Sequence, residues 1–203
     1  MSQYILGYKN QMTQIYRENG EIVPVTIIDC DNCIVAKNIV NKSNGAKSVQ
    51  LGLGINKKPS KPLKGQYNEL EFIPKTIIQF KLVDVEKLNK VGSYVKVASF
   101  QDVNNINISA ISKGRGFAGV IKRHGFSRGP ETHGSDHHRK PGSIGAMFPQ
   151  RVLKGQKLPG HLGANKVTVK NSEIMMVDKS KNIIAVKGSV PGHKNSVVVI
   201  ESI

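Results

Sequence analysis

Short β-branched runs separated by turn residues fill most of this chain of 203 residues. The clearest are Ile22–Asp29, Ile34–Val40, Ser48–Leu53, Thr76–Val83, Ser93–Phe100 and Ile106–Ile111. The texture returns in Val167–Val169, Ile174–Val177, Ile183–Val186 and Val197–Ile200. Several runs alternate at period two, as Val95 and Val97 do against Lys96 and Ala98, the pattern of a strand with one buried face. Asn19-Gly20, Asn44-Gly45, Val91-Gly92-Ser93 and Asp31-Asn32 supply turn chemistry of the kind hairpins require. Helix is scarce, with one or two turns over Asp84–Lys90. Many short strands joined by such turns predict a mostly β fold, a closed barrel or a sandwich.

Residues 113–165 break this pattern and divide the chain into a β domain, 1–112 with 166–203, and an inserted extension. Together with Lys166 the extension holds 11 of the 30 Lys and Arg but 2 of the 14 acids, a net charge of +9 out of +16. It also holds 5 of the 6 histidines and 11 of the 20 glycines. Its apolar residues are too few for a core of its own. Phe117, Val120, Ile121 and Phe126 can form one small helical cluster, and Val152–Leu153 another. A loop of that length inside a compact domain is expected to be functional, and another molecule is expected to order it. The charge makes that molecule anionic, and the glycines let the backbone bend and approach closely. RNA meets these demands: Lys and Arg neutralise phosphates, while Arg and His stack on bases or reach their edges.

The whole-chain surplus of +16 would cost self-repulsion unless a polyanion takes it up, and nucleic acid is preferred to a membrane. No apolar run of about 18 residues exists to span a bilayer. The opening MSQYILGYKNQ has no basic-then-apolar leader. Two cysteines, Cys30 and Cys33, exclude a disulfide framework and point to a reducing cytosol. No second Cys pair completes a zinc site. Ile34, Val35 and Ala36 continue as strand where a redox motif wants a helix, so the pair reads as flanking an Asp-Asn hairpin turn.

Four stretches carry residues of sharper chemistry. Gly114-Arg-Gly116-Phe-Ala-Gly119 matches a dinucleotide fingerprint, but no hydrophobic second strand ending in an acid follows. His133, Asp136, His137 and His138 have ligand chemistry, but Gly134, Ser135 and Pro141 oppose the helix that their spacing needs. Gly125-Phe-Ser127-Arg-Gly129 matches a nucleophile elbow, yet Lys122-Arg-His124 precede it where a hydrophobic strand is required. Lys57-Lys58-Pro-Ser-Lys61-Pro-Leu-Lys64 reads as a Pro-stiffened loop with phosphate contact in view.

The run SKGRGFAGVIKRHGFSRGPETHGSDHHRKPGSIG, Ser112–Gly145, resembles the central extension of the universal large-subunit ribosomal protein L-three family, bacterial type. Leu6–Tyr16 resembles the family's opening strand, Phe148–Asn171 its return arm and Val186–Ile200 its closing hairpin. The resemblance implies a six-stranded β-barrel like that of translation factors, with a long, irregular, basic extension that penetrates RNA towards the peptidyl-transferase region. It also implies a part in early assembly of the large subunit. Since the residue pattern gives more than six strands, some are expected to pair outside the barrel. This chain has Gln11 where the family's opening motif usually has Gly, and Met147-Phe148 ahead of Pro149.

The expected function is therefore that of a structural constituent of the large ribosomal subunit, in the cytoplasm. Its expected partners are large-subunit ribosomal RNA and neighbouring ribosomal proteins. Lys113, Arg115, Lys122, Arg123, Arg128, Arg139, Lys140, Arg151, Lys154, Lys157 and Lys166 are expected on phosphates or bases. His124, His133, His137, His138 and His161 are expected to stack or to reach 2′-hydroxyls. No catalytic residue, metal, cofactor, small-molecule substrate or membrane is expected. The competing readings are an RNA-acting nuclease with a His-rich loop and a free RNA-binding chaperone.

Overall fold

Period-two burial appears directly in the strands of the computed structural model, which describes residues 3–40, 46–81 and 90–203. The strands are β1 (Tyr4–Tyr16), β2 (Ile22–Asp29), β3 (Cys33–Val40), β4 (Lys47–Ile55), β5 (Pro74–Lys81), β6 (Asn105–Ile111), β7 (Phe117–Ala118), β8 (Gly160–His161), β9 (Lys166–Asp178), β10 (Ile183–Lys187) and β11 (Val197–Ser202). Two short helices, α1 (Lys61–Gln66) and α2 (Val120–His124), and a 3₁₀ turn at Val97–Phe100 complete the described elements. The chain forms two compact units, residues 1–111 with 166–203, and residues 112–165.

In the first unit six antiparallel strands close into a ring in the order β1-β11-β6-β9-β10-β2, with β2 returning to β1. The expected barrel corresponds to this ring. Ile106, Ile108 and Ala110 of β6 alternate inward, as do Val198 and Ile200 of β11. With Ile5, Ile28, Ile184 and Val186 they fill one core, each Ile contributing about 1.5–3 kcal/mol by leaving water. The extra strands pair outside the ring as expected, β3-β4-β5 forming a three-stranded sheet. That sheet shares the core through Leu51 and Leu53, and Phe80 stacks on Tyr4 with ring centroids 4.5 Å apart.

Several expectations change. Ser93–Phe100 is not a strand: Tyr94 makes an isolated bridge to Ile34, and a 3₁₀ turn follows. Val97 and Phe100 are both fully buried, and a three-residue period puts them on one side. Val167–Val169 and Ile174–Val177 are not two strands but one, β9, interrupted by a register shift against β6. Asn171, at φ 56, bears the left-handed kink of that irregularity. Asp31-Asn32 is a tight turn but not a hairpin, because β2 lies in the ring and β3 in the separate sheet. The expected Lys57–Lys64 loop contains α1, whose first turn accepts Pro62 without losing a needed donor. Gln11 sits in β1 where the register against β2 shifts between Lys9 and Met12, and it needs no positive φ. The Asn44-Gly45 turn, the Asp84–Lys90 helix up to residue 89 and the end of the Thr76–Val83 strand lie outside the described residues. Among the described residues no helix is long and apolar enough to cross a membrane.

Candidate nucleic-acid interface

The second unit begins as two chains lying side by side. The Ser112 amide donates to the Asn165 carbonyl at 2.9 Å, the Arg115 amide to Leu162 at 2.8 Å, and the Leu162 amide to Gly116 at 2.9 Å. Phe117 then pairs with His161, and Ala118 with Gly160, as β7 and β8. Gly163 shows why glycine is needed here: its φ is +80, and an added Cβ would strike the Lys113 carbonyl oxygen.

α2 follows, with Val120 buried and Gly125 closing it at φ 71. Arg123 Nη1 donates to the Leu158 carbonyl at 2.7 Å, and His124 Nε2 lies 3.0 Å from the same oxygen. Gly160 packs so close that a Cβ there would come within 2.5 Å of Arg123 Nη1. Further out, His138 Nδ1 lies 2.8 Å from the Pro130 carbonyl, and the Gly129 amide donates to the His138 carbonyl at 3.0 Å.

These contacts divide the expected RNA-contacting residues into two groups. Arg123, His124 and His138 are half-buried and engaged with main-chain oxygens of the unit itself. The other thirteen are exposed: Lys113, Arg115, Lys122, Arg128, His133, His137, Arg139, Lys140, Arg151, Lys154, Lys157, His161 and Lys166. Lys166 opens β9 and so belongs to the first unit. Arg128 forms an ion pair with Glu131, both side chains being more than half exposed. Such a pair is weak enough for a phosphate to replace it.

The small apolar clusters are only partly realised. Phe126 lies beside His124, ring centroids 6.0 Å apart, but Phe117 is 81% exposed. Val152 and Leu153 are exposed and belong to neither hydrophobic cluster of the described residues. Met147 and Phe148, which the sequence marks only as a departure from the family's pattern, are 81% and 75% exposed. The signal was available in Ala146-Met147-Phe148-Pro149, an apolar stretch within a charged segment.

The sharper motifs do not assemble. Gly114–Gly119 spans β7, and the preceding β6 is antiparallel to both its neighbours, so no parallel crossover surrounds a phosphate loop. Ser127 is exposed, with neither a strand before it nor a helix after it. His133 sits in a turn at φ 60, so it shares no helix face with His137. Among the described residues no three His, Cys, Asp or Glu side chains gather as metal ligands.

The model of the family described as ribosomal protein L3 matches residues 76–182. The chain is 44% identical over 203 residues to the large ribosomal subunit protein uL3 of Carboxydothermus hydrogenoformans, covering 99% of this chain and 97% of that protein. Identity to the protein of the same name from Shouchella clausii is 42%, over 100% of this chain and 98% of that protein. For the one from Pelotomaculum thermopropionicum it is 43%, over 99% and 97%.

Proposed function

The chain belongs to the ribosomal protein L3 family, and from that premise we propose that it binds large-subunit ribosomal RNA through the exposed cations of residues 112–165 and Lys166. The family is structural and non-enzymatic, and the chain has a structural role in the large ribosomal subunit. The observation that carries RNA binding is the exposure of those thirteen Lys, Arg and His side chains in a window with two acids, one of them already paired to Arg128. Each Lys or Arg that meets a phosphate releases condensed counterions, so binding is driven by charge and weakened by salt. Glycines bring main-chain amides within reach of phosphates and 2′-hydroxyls.

The first unit acts as the rigid anchor and as the surface for neighbouring ribosomal proteins. The same reading gives the protein a part in early subunit assembly and directs the extension towards the peptidyl-transferase region, within ribosomes of the cytoplasm. The family resemblance of Ser112–Gly145 supports these points.

The test is filter binding to domain-sized fragments of large-subunit ribosomal RNA across a salt series. The full chain is compared with one lacking residues 113–165. Roughly ten phosphate contacts in residues 113–166 contribute a log–log slope on the order of −7 to −9. The deletion should flatten it and abolish preference among fragments. Equal binding by the deleted chain would place recognition in the first unit. Multiple-turnover RNA cleavage would favour the nuclease reading instead.

A further inference from the structure

The extension does not hold all of the surplus charge. Outside residues 113–166 the chain carries a net +7, and its distribution is uneven. Residues 33–68 contain seven Lys and neither Asp nor Glu. The remainder of the chain, beyond these two segments, has 12 Lys and Arg against 12 Asp and Glu. All the excess charge outside the extension therefore sits on the stretch that builds β3, β4 and α1.

The fold gives that stretch a polar face. Lys37, Gln50 and Gln79 stand in register across β3, β4 and β5, and Ser48 pairs with Lys81 one step along. Their parity on β4 is opposite to that of Val49, Leu51 and Leu53, which enter the core. The side chains between the lysines are linked. Tyr67 Oη donates to Gln50 Oε1 at 2.9 Å, Gln50 Nε2 to Gln79 Oε1 at 3.5 Å, and Gln79 Nε2 to Ser48 Oγ at 2.9 Å. Tyr67 caps α1, so this chain of bonds ties the helix and its lysines to the sheet. Lys37, Lys57, Lys58, Lys61, Lys64 and Lys81 are exposed. Among the described residues none of them is in an ion pair. The nearest acids in sequence are Asp31 ahead of β3, Glu69 and Glu71 on the link from α1 to β5, and Asp84 beyond Lys81.

We propose that the outer face of β3-β4-β5 with α1 is a second RNA-phosphate-binding surface, independent of the extension and resting on the ribosomal RNA reading above. Lysine is suited to it, being a compact, mobile charge that meets a phosphate without a fixed geometry. A protein partner would call for aromatic or aliphatic anchors at the centre of the patch. This centre is instead Gln50, Gln79 and the buried Ser48, and the aliphatic side chains on the same face, Ile39 beside Ser48 and Ile77 beside Gly52, are both half-buried rather than protruding.

The experiment uses the full-length chain carrying Lys37→Gln, Lys57→Gln, Lys58→Gln, Lys61→Gln and Lys64→Gln, with the extension unchanged. Circular dichroism and melting check the fold. In the salt series the log–log slope should become shallower by roughly 3.5 to 4.5, at about 0.7–0.9 for each of the five lost phosphate contacts, while fragment preference is retained. In a second measurement on the unmodified chain, bound RNA should protect Lys61 and Lys64 from an amine-reactive label and leave Lys179 and Lys181 labelled. An unchanged slope, or labelling of Lys61 and Lys64 unaffected by RNA, overturns the proposal even if the unmodified chain binds RNA. Protection by an acidic protein in place of RNA also overturns it. Failure of the unmodified chain to bind any fragment sinks both this proposal and the reading it rests on.

Discussion

Arg17 Nη2 reaches both carboxylate oxygens of Glu173, at 2.9 and 3.0 Å, joining the region just past β1 to β9. Lys187 Nζ, at the end of β10, adds a bond to Glu173 Oε2 at 3.1 Å. The hydrogen bond from Lys187, aided by the charge of Arg17, holds the Glu173 carboxyl below its ordinary value of 4.5. A depressed carboxyl stabilises the folded chain above that ordinary value and loses its contribution as pH falls through the lowered one. Glu173→Gln should therefore lower the melting temperature modestly at neutral pH, because the network is exposed. Below pH 4.5 the gap between the two proteins should close. A gap that persists in acid would mean that packing, not charge, is what the substitution removes.

Cys30 and Cys33 are both free and almost fully buried. Burial pushes both thiols up, Cys33 to about 11 and Cys30 further. The thiolate is the reactive form, so neither should react with a disulfide reagent in the native state at neutral pH. Both should react once denaturant opens the fold. A raised thiol contributes stability below its ordinary value, 9.0, that is lost as pH rises through the folded value. Titration from pH 9.0 upward should thus destabilise the chain, and Cys33→Ser should change that alkaline limb.

The ring is legible where a strand has one wet face. Ile106, Ile108 and Ala110 alternate cleanly, and β6 lies within one residue of its expected bounds. Legibility fails where register breaks. Asn171-Ser172 looks like a turn because a left-handed Asn serves a bulge as readily as a hairpin. The outer half of β1 shows no alternation because both its faces are largely exposed from Gln11 to Gln14. In the extension, net charge is visible in composition, but the acceptors of Arg123, His124 and His138 are main-chain oxygens. Carbonyls leave no trace in a sequence, so these three residues look identical to their exposed neighbours. The described lysines of residues 33–68 are hidden differently, spread over β3, β4, α1 and the link between β4 and α1.

Gly163 tests how far the base of the extension is ordered without RNA. Gly163→Ala would force a side chain into φ +80 and against the Lys113 carbonyl oxygen. The left-handed conformation alone costs about 1–3 kcal/mol. The effect should be local. Amide exchange should quicken at Ser112 and Arg115, whose bonds bracket the site, while Ile108 and Ile200 in the ring stay protected. Equal acceleration in both units would show that they unfold together.

Arg115 and Arg123 should separate contact with RNA from internal support. Arg115 is exposed, whereas Arg123 donates to the Leu158 carbonyl. Arg115→Ala should leave the free protein unchanged and make the salt dependence of RNA binding shallower by about 0.7–0.9. Arg123→Ala loses a charged hydrogen bond of about 1.5–3 kcal/mol. It should loosen the amides around His161 in the free protein. The salt slope should scarcely move, and affinity should fall because a less ordered chain must be fixed on binding. If Arg123→Ala changes the slope as Arg115→Ala does, its guanidinium meets phosphate after all.

Phe148 is the apolar counterpart of those cations. It is 75% exposed beside Met147, so it adds little to the stability of the free chain. Water is a poor neighbour for a phenyl ring, and an unstacked base is a good one. Base–aromatic stacking is worth about 1–3 kcal/mol, largely independent of base identity. Phe148→Ser should leave melting unchanged and weaken binding to the preferred RNA fragment by about 5- to 150-fold, the same free energy expressed as an equilibrium. A stacked ring carries no charge, so the log–log salt slope should not move. Phe148→Tyr, which keeps the ring, should bind nearly as well as the unmodified chain. Equal losses for Ser and Tyr would replace stacking with a requirement for a fully apolar neighbour, and no loss for either would leave the exposed ring without a part in RNA binding.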